Sequence, residues 1–587
     1  MVATVPKSGT PERSSASPPT VPAGGDPRIA GPRAPDVQVP ARRRLPAAAA
    51  AVLGVALLFF AYLQVSRTYP ENSDESNDLL MAWDMLHGNV LLHGWYLSDV
   101  PFITTELPQY AILERLFGLH TGTAHIAAAM TYTLVVVLAV LLARGPASGN
   151  RTAGDPASGR EADLRMLLTA FLMFAPQLGV GVFVLLLSLG HIGTAVPLLL
   201  AWLVVDRGDR FKRRALAPVA VGVLLTWVLV ADPLVLLVGV VPLVAVCAIR
   251  AARGLWIARR RDDRGPGWAQ ASLRAHWYEL SLAAAAILAQ GLASVISWLL
   301  RNSGGFVLHS VPYQLAPVPT WPKHAWVTAE GLLALFGAKP QGPAPELAFA
   351  VLHLAGVALV GWAMVRVARH FLGWPDMVSQ ILLVAIIVNI VAYVPSTLAD
   401  ATALNAREFA VVLPFGAVLT GRTLAPTLLA WLRRRRRPAG RRPVAVILLA
   451  GALLAGYAAS LGYAAAQPSV PPANARLAAF LAAHHLTSGI GGYWESSVVT
   501  VGSDGTVTIR AVVPGTLRPY LWEAKSSWYS PSRNRANFLV TDSAPGFFNY
   551  WQPSPAALAA LGRPARTYHV GPYTVYVYDK NLLADLG

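Results

Sequence analysis

Asp74 and Glu75 are adjacent carboxylates in the segment Tyr69-Pro-Glu-Asn-Ser-Asp-Glu-Ser-Asn-Asp, just beyond a long apolar run. A carboxylate held beside an apolar surface can take the proton of a hydroxyl, and such a base contributes typically about 10²–10⁴-fold to a rate. Glu106, in Thr105-Glu106-Leu107-Pro108, is the next acid able to join them. The loop from Ser66 to Thr121 carries eight carboxylates (Glu71, Asp74, Glu75, Asp78, Asp84, Asp99, Glu106, Glu114) against the cations Arg67 and Arg115. A structural reading stands beside the chemical one. Acids in the first turn of a helix are favoured by the macrodipole, by about 0.3–1 kcal/mol each.

The element that must position the pair is a helix. Ser73 is the expected N-cap, and Leu79, Leu80, Trp83 and Leu86 recur at helical spacing. The pattern describes an amphipathic helix lying on a membrane, apolar face down and acids up. A membrane is what the composition of the 587-residue chain demands. Hydrophobic residues make up 54% and charged residues 13%, with mean hydropathy +0.46. An ordinary globular chain holds about 25% charged residues.

About 20 apolar residues cross a bilayer. The run from Leu45 to Val65, after Arg42-Arg43-Arg44, therefore reads as a retained signal anchor, and the Pro-, Ser- and Gly-rich residues 1–44 as a disordered cytoplasmic N-terminus. Ten further spans are expected near residues 122–143, 166–188, 192–205, 216–231, 234–249, 277–299, 345–368, 377–395, 409–424 and 443–464. The run from Ala325 to Ala338 is too short to span and suits an interfacial or re-entrant helix.

Charge fixes the expected orientation. With the N-terminus inside, the outer loops hold six Lys and Arg (Arg67, Arg115, Arg301, Lys323, Lys339, Arg407), the C-terminal tail nine, and the inner side the other 33 of 48. That is the positive-inside asymmetry. The net charge of +17 is thus mainly a topology signal, and nucleic acid is not an expected partner. Eleven spans, N-in and C-out, put the tail from Gln467 outside. There a helical pattern (Arg476 to His485) precedes strand-like runs at Ser497–Val501, Thr506–Val513, Asn537–Val540 and Tyr573–Tyr578. The expected architecture is an all-α polytopic membrane domain over residues 45–466, with a large first outer loop. A small extracytoplasmic α/β or α+β domain over 467–587 completes it. Cys247, the one cysteine, excludes an intramolecular disulfide and lies in an apolar run.

The acid pair after the first span, followed by Ala82, Met85, Leu86 and Gly88, resembles the opening of the GT-C membrane glycosyltransferases. The similarity is greatest to the branch of protein O-mannosyltransferases and aminoarabinose transferases. Leu107-Pro108 stands where that branch has Pro-Pro, and the resemblance covers roughly residues 45–145. It implies transfer of a sugar from a polyprenyl-phosphate donor to a cell-envelope glycan, lipid or protein on the outer face. A phosphate leaves as an anion without a general acid, so one base suffices for an inverting transfer. By resemblance that base is Asp74, oriented by Glu75, with Glu106 next if two carboxylates or a divalent metal take part.

The departing phosphate calls for a cation at the outer surface, where an Arg binds phosphate bidentately. Arg407 and Arg301 are the candidates, and Lys323 and His324 lie in a loop suited to gating. For both arginines the alternative is a locally paired interfacial anchor, and for Asp232 it is a solvated helix terminus. His87 and His93 lack zinc-ligand spacing. His353 and Asn389 sit inside spans and are expected to bridge helices. In the aromatic tail, Trp494 and Trp528 suit stacking on an acceptor sugar as well as they suit a core.

Two other classes remain in view: a polytopic transporter or lipid flippase, and a non-catalytic envelope protein that binds glycan. No internal repeat supports the transporter. The Ala- and Arg-rich, Lys-poor composition points to the plasma membrane of a GC-rich bacterium.

Overall fold

The computed structural model describes residues 41–145, 156–187, 190–208, 214–260, 267–309, 314–399, 402–434, 442–472, 474–543 and 550–586. Of the stretch 1–44 expected to be disordered, residues 1–40 lie outside this set and 41–44 open a helix. Gly54–Gly587 form one compact unit.

Helices dominate. They are α1 (Ala41–Ser66), α2 (Ser73–Leu86), α3 (Glu106–Phe117), α4 (Gly122–Arg144), α5 (Pro156–Phe174), α6 (Val180–Leu186) and α7 (Ala195–Arg207). Then follow α8 (Leu216–Ala231), α9 (Val241–Arg259), α10 (Trp268–Ala275), α11 (Trp277–Asn302), α12 (Trp321–Leu335), α13 (Ala344–Arg369), α14 (Met377–Tyr393), α15 (Val412–Arg434) and α16 (Arg442–Ala465). The chain is a multi-pass membrane protein. Among the described residues, six stretches are long and apolar enough to cross a membrane: Ala49–Ser66, Gly122–Arg144, Leu236–Arg259, Trp277–Asn302, Ala344–Arg369 and Val412–Leu432. Leu216–Ala231 and Met377–Tyr393 are shorter apolar helices.

The expected span at 166–188 is not one helix. Helix α5 stops at Phe174, and α6 starts six residues later. Pro176 lacks the N–H a helix needs, and Gly179 has φ +75°. Gln177 pins the break from its side chain, donating to Lys339 O at 2.5 Å. The short apolar run near 325–338 is α12, which packs on α6.

At the opposite end of the helices lies a buried ion cluster. Arg422, in the middle of α15, donates to Asp206 Oδ1 at 2.5 Å, to Asp376 Oδ2 at 2.8 Å and to Leu142 O at 2.7 Å. It ties together α4, α7, α14 and α15. His353 of α13 stacks on Tyr457 of α16 with ring centroids 4.2 Å apart, the helix bridge expected of it.

The C-terminal region mixes helix and sheet. Its strands are β3 (Ser488–Gly491), β4 (Thr508–Ala511), β6 (Phe538–Ser543), β7 (Tyr550–Trp551), β8 (Arg566–Val570) and β9 (Tyr573–Val577), in the order β4-β3-β6-β9-β8 with β7 on β6. Strands β3, β4 and β6 run parallel, and β9 is antiparallel to β6 and β8. Three helices accompany them: α17 (Ala475–Ala483), α18 (Tyr493–Gly502) and α19 (Pro555–Leu561). The run Ser497–Val501, expected as a strand, is instead the core of α18. Its β-branched composition suits a strand, but it is buried against β4 on one side and α2 on the other. Tertiary burial overrides a weak local preference.

A second, three-stranded sheet joins distant parts of the chain. Strand β1 (Trp95–Leu97) of the first loop pairs parallel with β2 (Val307–Leu308), and antiparallel with β5 (Ala524–Lys525) of the C-terminal region. In that register Trp95 lies opposite Lys525, and Tyr96 opposite Ala524.

Candidate active site

Helix α2 begins one residue earlier than expected. Asn72, not Ser73, is the N-cap: its side chain accepts from Asp74 N at 2.8 Å, while Glu75 Oε2 accepts from Asn72 N at 2.8 Å. This reciprocal capping box satisfies two otherwise orphaned amides. The freed Ser73 hydroxyl donates to Tyr493 O of α18 at 2.6 Å. Nor does α2 lie with its acids in water. Ser73 and every residue from Glu75 to Ala82 are buried, because α3 packs on one side and α18 on the other.

Capping leaves Asp74 aimed at a cavity of about 80 Å³, lined by Asp74, Asp99, His191, Arg407, Glu408, Trp522 and Glu523, among others. Asp74 Oδ1 accepts from the Tyr493 hydroxyl at 2.7 Å, and Oδ2 lies 3.6 Å from Arg407 Nη1. Arg407 sits in the 3₁₀ turn Ala403–Phe409, and its Nε is 3.8 Å from Glu408 Oε1.

Behind Arg407 stands a second charge group. His191 Nδ1 is 2.7 Å from Asp232 Oδ2, and its Nε2 is 3.1 Å from Glu408 Oε2. Burial disfavours the charged ring, but the two carboxylates outweigh it and hold His191 well above the usual histidine range. Asp232 is therefore no solvated helix terminus: it is 1% exposed and also accepts from Thr194 and Leu234 N.

Burial raises several of the acids around Asp74. Burial, then the charge of Asp74, pushes Glu75 up to about 8. Burial raises Glu106 to about 7 and, aided by the charge of Glu523, lifts Asp78 well above the carboxylate range. Burial and then Asp74 bring Glu523 up to about 8.

The expected site residues fare differently. Asp74 and Arg407 meet in the cavity. Glu75 faces its own helix cap, and Glu106 packs under Gly193, where a Cβ would overlap its carboxylate; neither lines the cavity. Arg301 is exposed and turns back to Ser297 O at 3.2 Å. Trp528 packs edge-on against Trp95 at 4.9 Å and under Arg510, and Trp494 lies edge-on to Tyr493 at 4.8 Å. His324 binds Val394 O, and part of its expected gating loop, residues 311–313, lies outside the described set. His93 binds Gly304 O. His191, Glu408, Asp99 and Glu523 were not foreseen as site residues, and Tyr493 and Trp522 were read only as tail aromatics suited to stacking on a sugar, not as partners of Asp74. Among them only Glu408, next to Arg407, has a local sequence signal.

The donors do not fit a metal. Both Asp74 oxygens face Tyr493 and Arg407, Glu75 serves the cap, His191 spends both ring nitrogens on Asp232 and Glu408, and among the described residues no group of three His, Cys, Asp or Glu is placed to hold a metal ion.

Ser66, His125 and Glu71 form another buried polar chain, with Ser66 Oγ 2.8 Å from His125 Nδ1 and His125 Nε2 3.1 Å from Glu71. Ser66 gives its proton to Leu186 O at 2.7 Å, so it locks α1, α4 and α6 together and is not poised as a nucleophile.

No family profile and no curated protein match the chain. Solved structures to which the chain is similar include the apo Archaeoglobus fulgidus oligosaccharyltransferase (13% identity, TM-score 0.46, covering 84% of this chain and 69% of that one). Archaeal AglB from Archaeoglobus fulgidus, in complex with an inhibitory peptide and a dolichol-phosphate, matches at 12% identity and TM-score 0.44, over 84% and 69%. ArnT from Cupriavidus metallidurans bound to undecaprenyl phosphate matches at 13% and 0.49, over 93% and 100%.

Proposed function

We propose that the chain is a GT-C-type membrane glycosyltransferase that moves a sugar from a polyprenyl-phosphate donor to a cell-envelope acceptor. The observation that carries this reading is the meeting of Asp74 and Arg407 across one small cavity, 3.6 Å apart. The acid of the first-loop motif thus faces Arg407, the one arginine lining the cavity among the described residues. In our reading Asp74 takes the acceptor hydroxyl's proton while Arg407 binds the departing phosphate, and the transfer inverts the anomeric centre. Glu75 and Glu106 support the site rather than react, and no step runs through a metal.

The topology we adopt has eleven crossings, with α6 and α12 re-entering without crossing. The first loop and the C-terminal region pack together and face the outer side of a bacterial plasma membrane. An apolar groove of about 710 Å³ between α8 and α11 suits the prenyl chain. It reaches Trp227, whose indole donates to Thr104 O, close to the cavity-lining Phe102.

The test is mass spectrometry of lipids co-purifying with the wild type and with Asp74→Asn. A polyprenyl-phosphate sugar held by the variant, with bare polyprenyl phosphate on the wild type, is the expected result. Absence of any prenyl phosphate from both, even after prenyl lipid is added back, overturns the reading in favour of a transporter.

A further inference from the structure

The Tyr493 hydroxyl stands 2.7 Å from Asp74 Oδ1 and 2.6 Å from Glu523 Oε2. Asn77 Nδ2 approaches the same hydroxyl at 3.1 Å and Glu523 Oε2 at 3.3 Å. A phenol owns one proton, which satisfies one of its two carboxyl neighbours. The second short oxygen–oxygen contact needs a proton of its own, since two oxygens bearing only lone pairs repel at that distance. Asn77 donates and cannot accept through its nitrogen. The arrangement therefore closes only when one of the two carboxyls is protonated. Glu523 faces the buried Asp78 as well as Asp74, with no cation hydrogen-bonded to it among the described residues, while Asp74 has Arg407 beside its other oxygen.

We infer that Tyr493 and Glu523, brought by the C-terminal region, are positioning residues for Asp74: the Glu523 carboxyl donates to the Tyr493 oxygen, and the Tyr493 hydroxyl donates to Asp74 Oδ1. Oδ2 is then the oxygen left to face Arg407 and the acceptor. This rests on the reading of Asp74 as the base. In the transfer the acceptor O–H breaks and its proton goes to Asp74 Oδ2. The acceptor oxygen bonds the anomeric carbon, and the carbon–oxygen bond to phosphate breaks with its electron pair on the phosphate. The Tyr493 and Glu523 protons hold the geometry and are not consumed.

Loss of the Glu523 proton places two carboxylates across one hydroxyl, and Asp74 no longer has a dedicated donor. Activity should then fall as pH rises through about 8, the value to which burial and Asp74 lift Glu523. The other groups facing this chain are Glu75 and Asp78 of α2, Glu106 of α3, and Asp99. From the C-terminal region comes Tyr520, and from the 3₁₀ turn Arg407 and Glu408.

Infrared difference spectroscopy of the full-length protein in detergent, titrated with base, tests this without any substrate. The protonated-carboxyl signal lost near about pH 8 in the wild type includes Glu75; it should fall in amplitude in Glu523→Gln, leaving the Glu75 part, keep its amplitude in Asp78→Asn, and change frequency in Tyr493→Phe. Persistence of the whole signal in Glu523→Gln, or its loss in Asp78→Asn alone, overturns the inference.

The second readout is turnover of the co-purified donor lipid against pH. Glu523→Gln keeps a donating amide at every pH, so its profile should lose the alkaline fall. Tyr493→Phe should lower kcat about tenfold with KM unchanged, one charge-assisted hydrogen bond being removed. An alkaline fall identical in Glu523→Gln and wild type also overturns the inference. If the infrared result holds while no variant turns over prenyl lipid, the transferase reading fails and the hydrogen-bonded chain stands.

Discussion

At the scale of single residues, the site contrasts a carboxylate with partners on both oxygens against acids closed off from water. Asp74→Asn keeps the shape and removes the base, so transfer should drop by about 10²–10⁴-fold while the donor lipid stays bound, as single-turnover assays will show. Arg407→Lys replaces a planar fork by a point charge. It should raise KM for the donor, whereas Arg301→Ala, exposed and turned to its own helix, should leave donor binding as in the wild type. Donor titrations on the two variants separate these outcomes. Asp74 and Arg407 were legible in the sequence because local motif and loop position mark them. Glu523 and Tyr493 were not. They reach Asp74 and Asn77 across sequence separations of 416 to 446 residues, and nothing near them in the chain announces an acid whose meaning is a neighbour's hydroxyl.

At the scale of elements, periodicity located most helices but not what covers them. Helix α2 has the alternation of a surface helix, yet α18 caps its polar face, and its acids are buried as a consequence. Helix α18 was misread for the converse reason, a β-branched run enclosed on both sides. The break at Pro176 and Gly179 interrupts an apolar stretch without changing its hydropathy, so composition ran across it. Two variants test element roles. Val223→Trp fills the groove between α8 and α11 from an exposed position, and should reduce co-purifying prenyl phosphate without altering the melting temperature. Arg422→Leu leaves the buried Asp206 carboxylate and the half-buried Asp376 without their cation, at a cost of about 3–5 kcal/mol. The expected outcome is a sharp loss of folded protein on size-exclusion chromatography.

For the whole molecule, the cluster of raised acids sets how stability responds to pH. Glu75 and Glu523 are lifted to about 8, Glu106 to about 7 and Glu114 to about 9, all chiefly by burial. Between the ordinary carboxylate range and these values the folded chain binds more protons than the unfolded one. Stability therefore falls as pH rises from about 4.5 towards about 9, the reverse of a salt-bridged carboxylate. Thermal melts in detergent should show Tm decreasing over that window, and a flat profile would mean that these carboxyls titrate normally. The overall plan, many apolar helices with a mixed C-terminal region, was legible from composition and charge. The joining of that region to the first loop through β1 and β5 was not, since a two-residue strand leaves no periodic signature.

That three-stranded sheet also governs when the site exists during synthesis. Strand β5 follows Glu523 directly and aligns on Trp95 and Tyr96, residues made more than four hundred positions earlier. A ribosome has thus produced every membrane helix before the acid pair acquires Tyr493, Glu523 and the strand that holds them. A chain released early would carry Asp74 and Arg407 without the Tyr493 hydroxyl from which Asp74 accepts. On the proposed reading, transfer depends on the C-terminal region, and a product that ends before it should not turn over the donor.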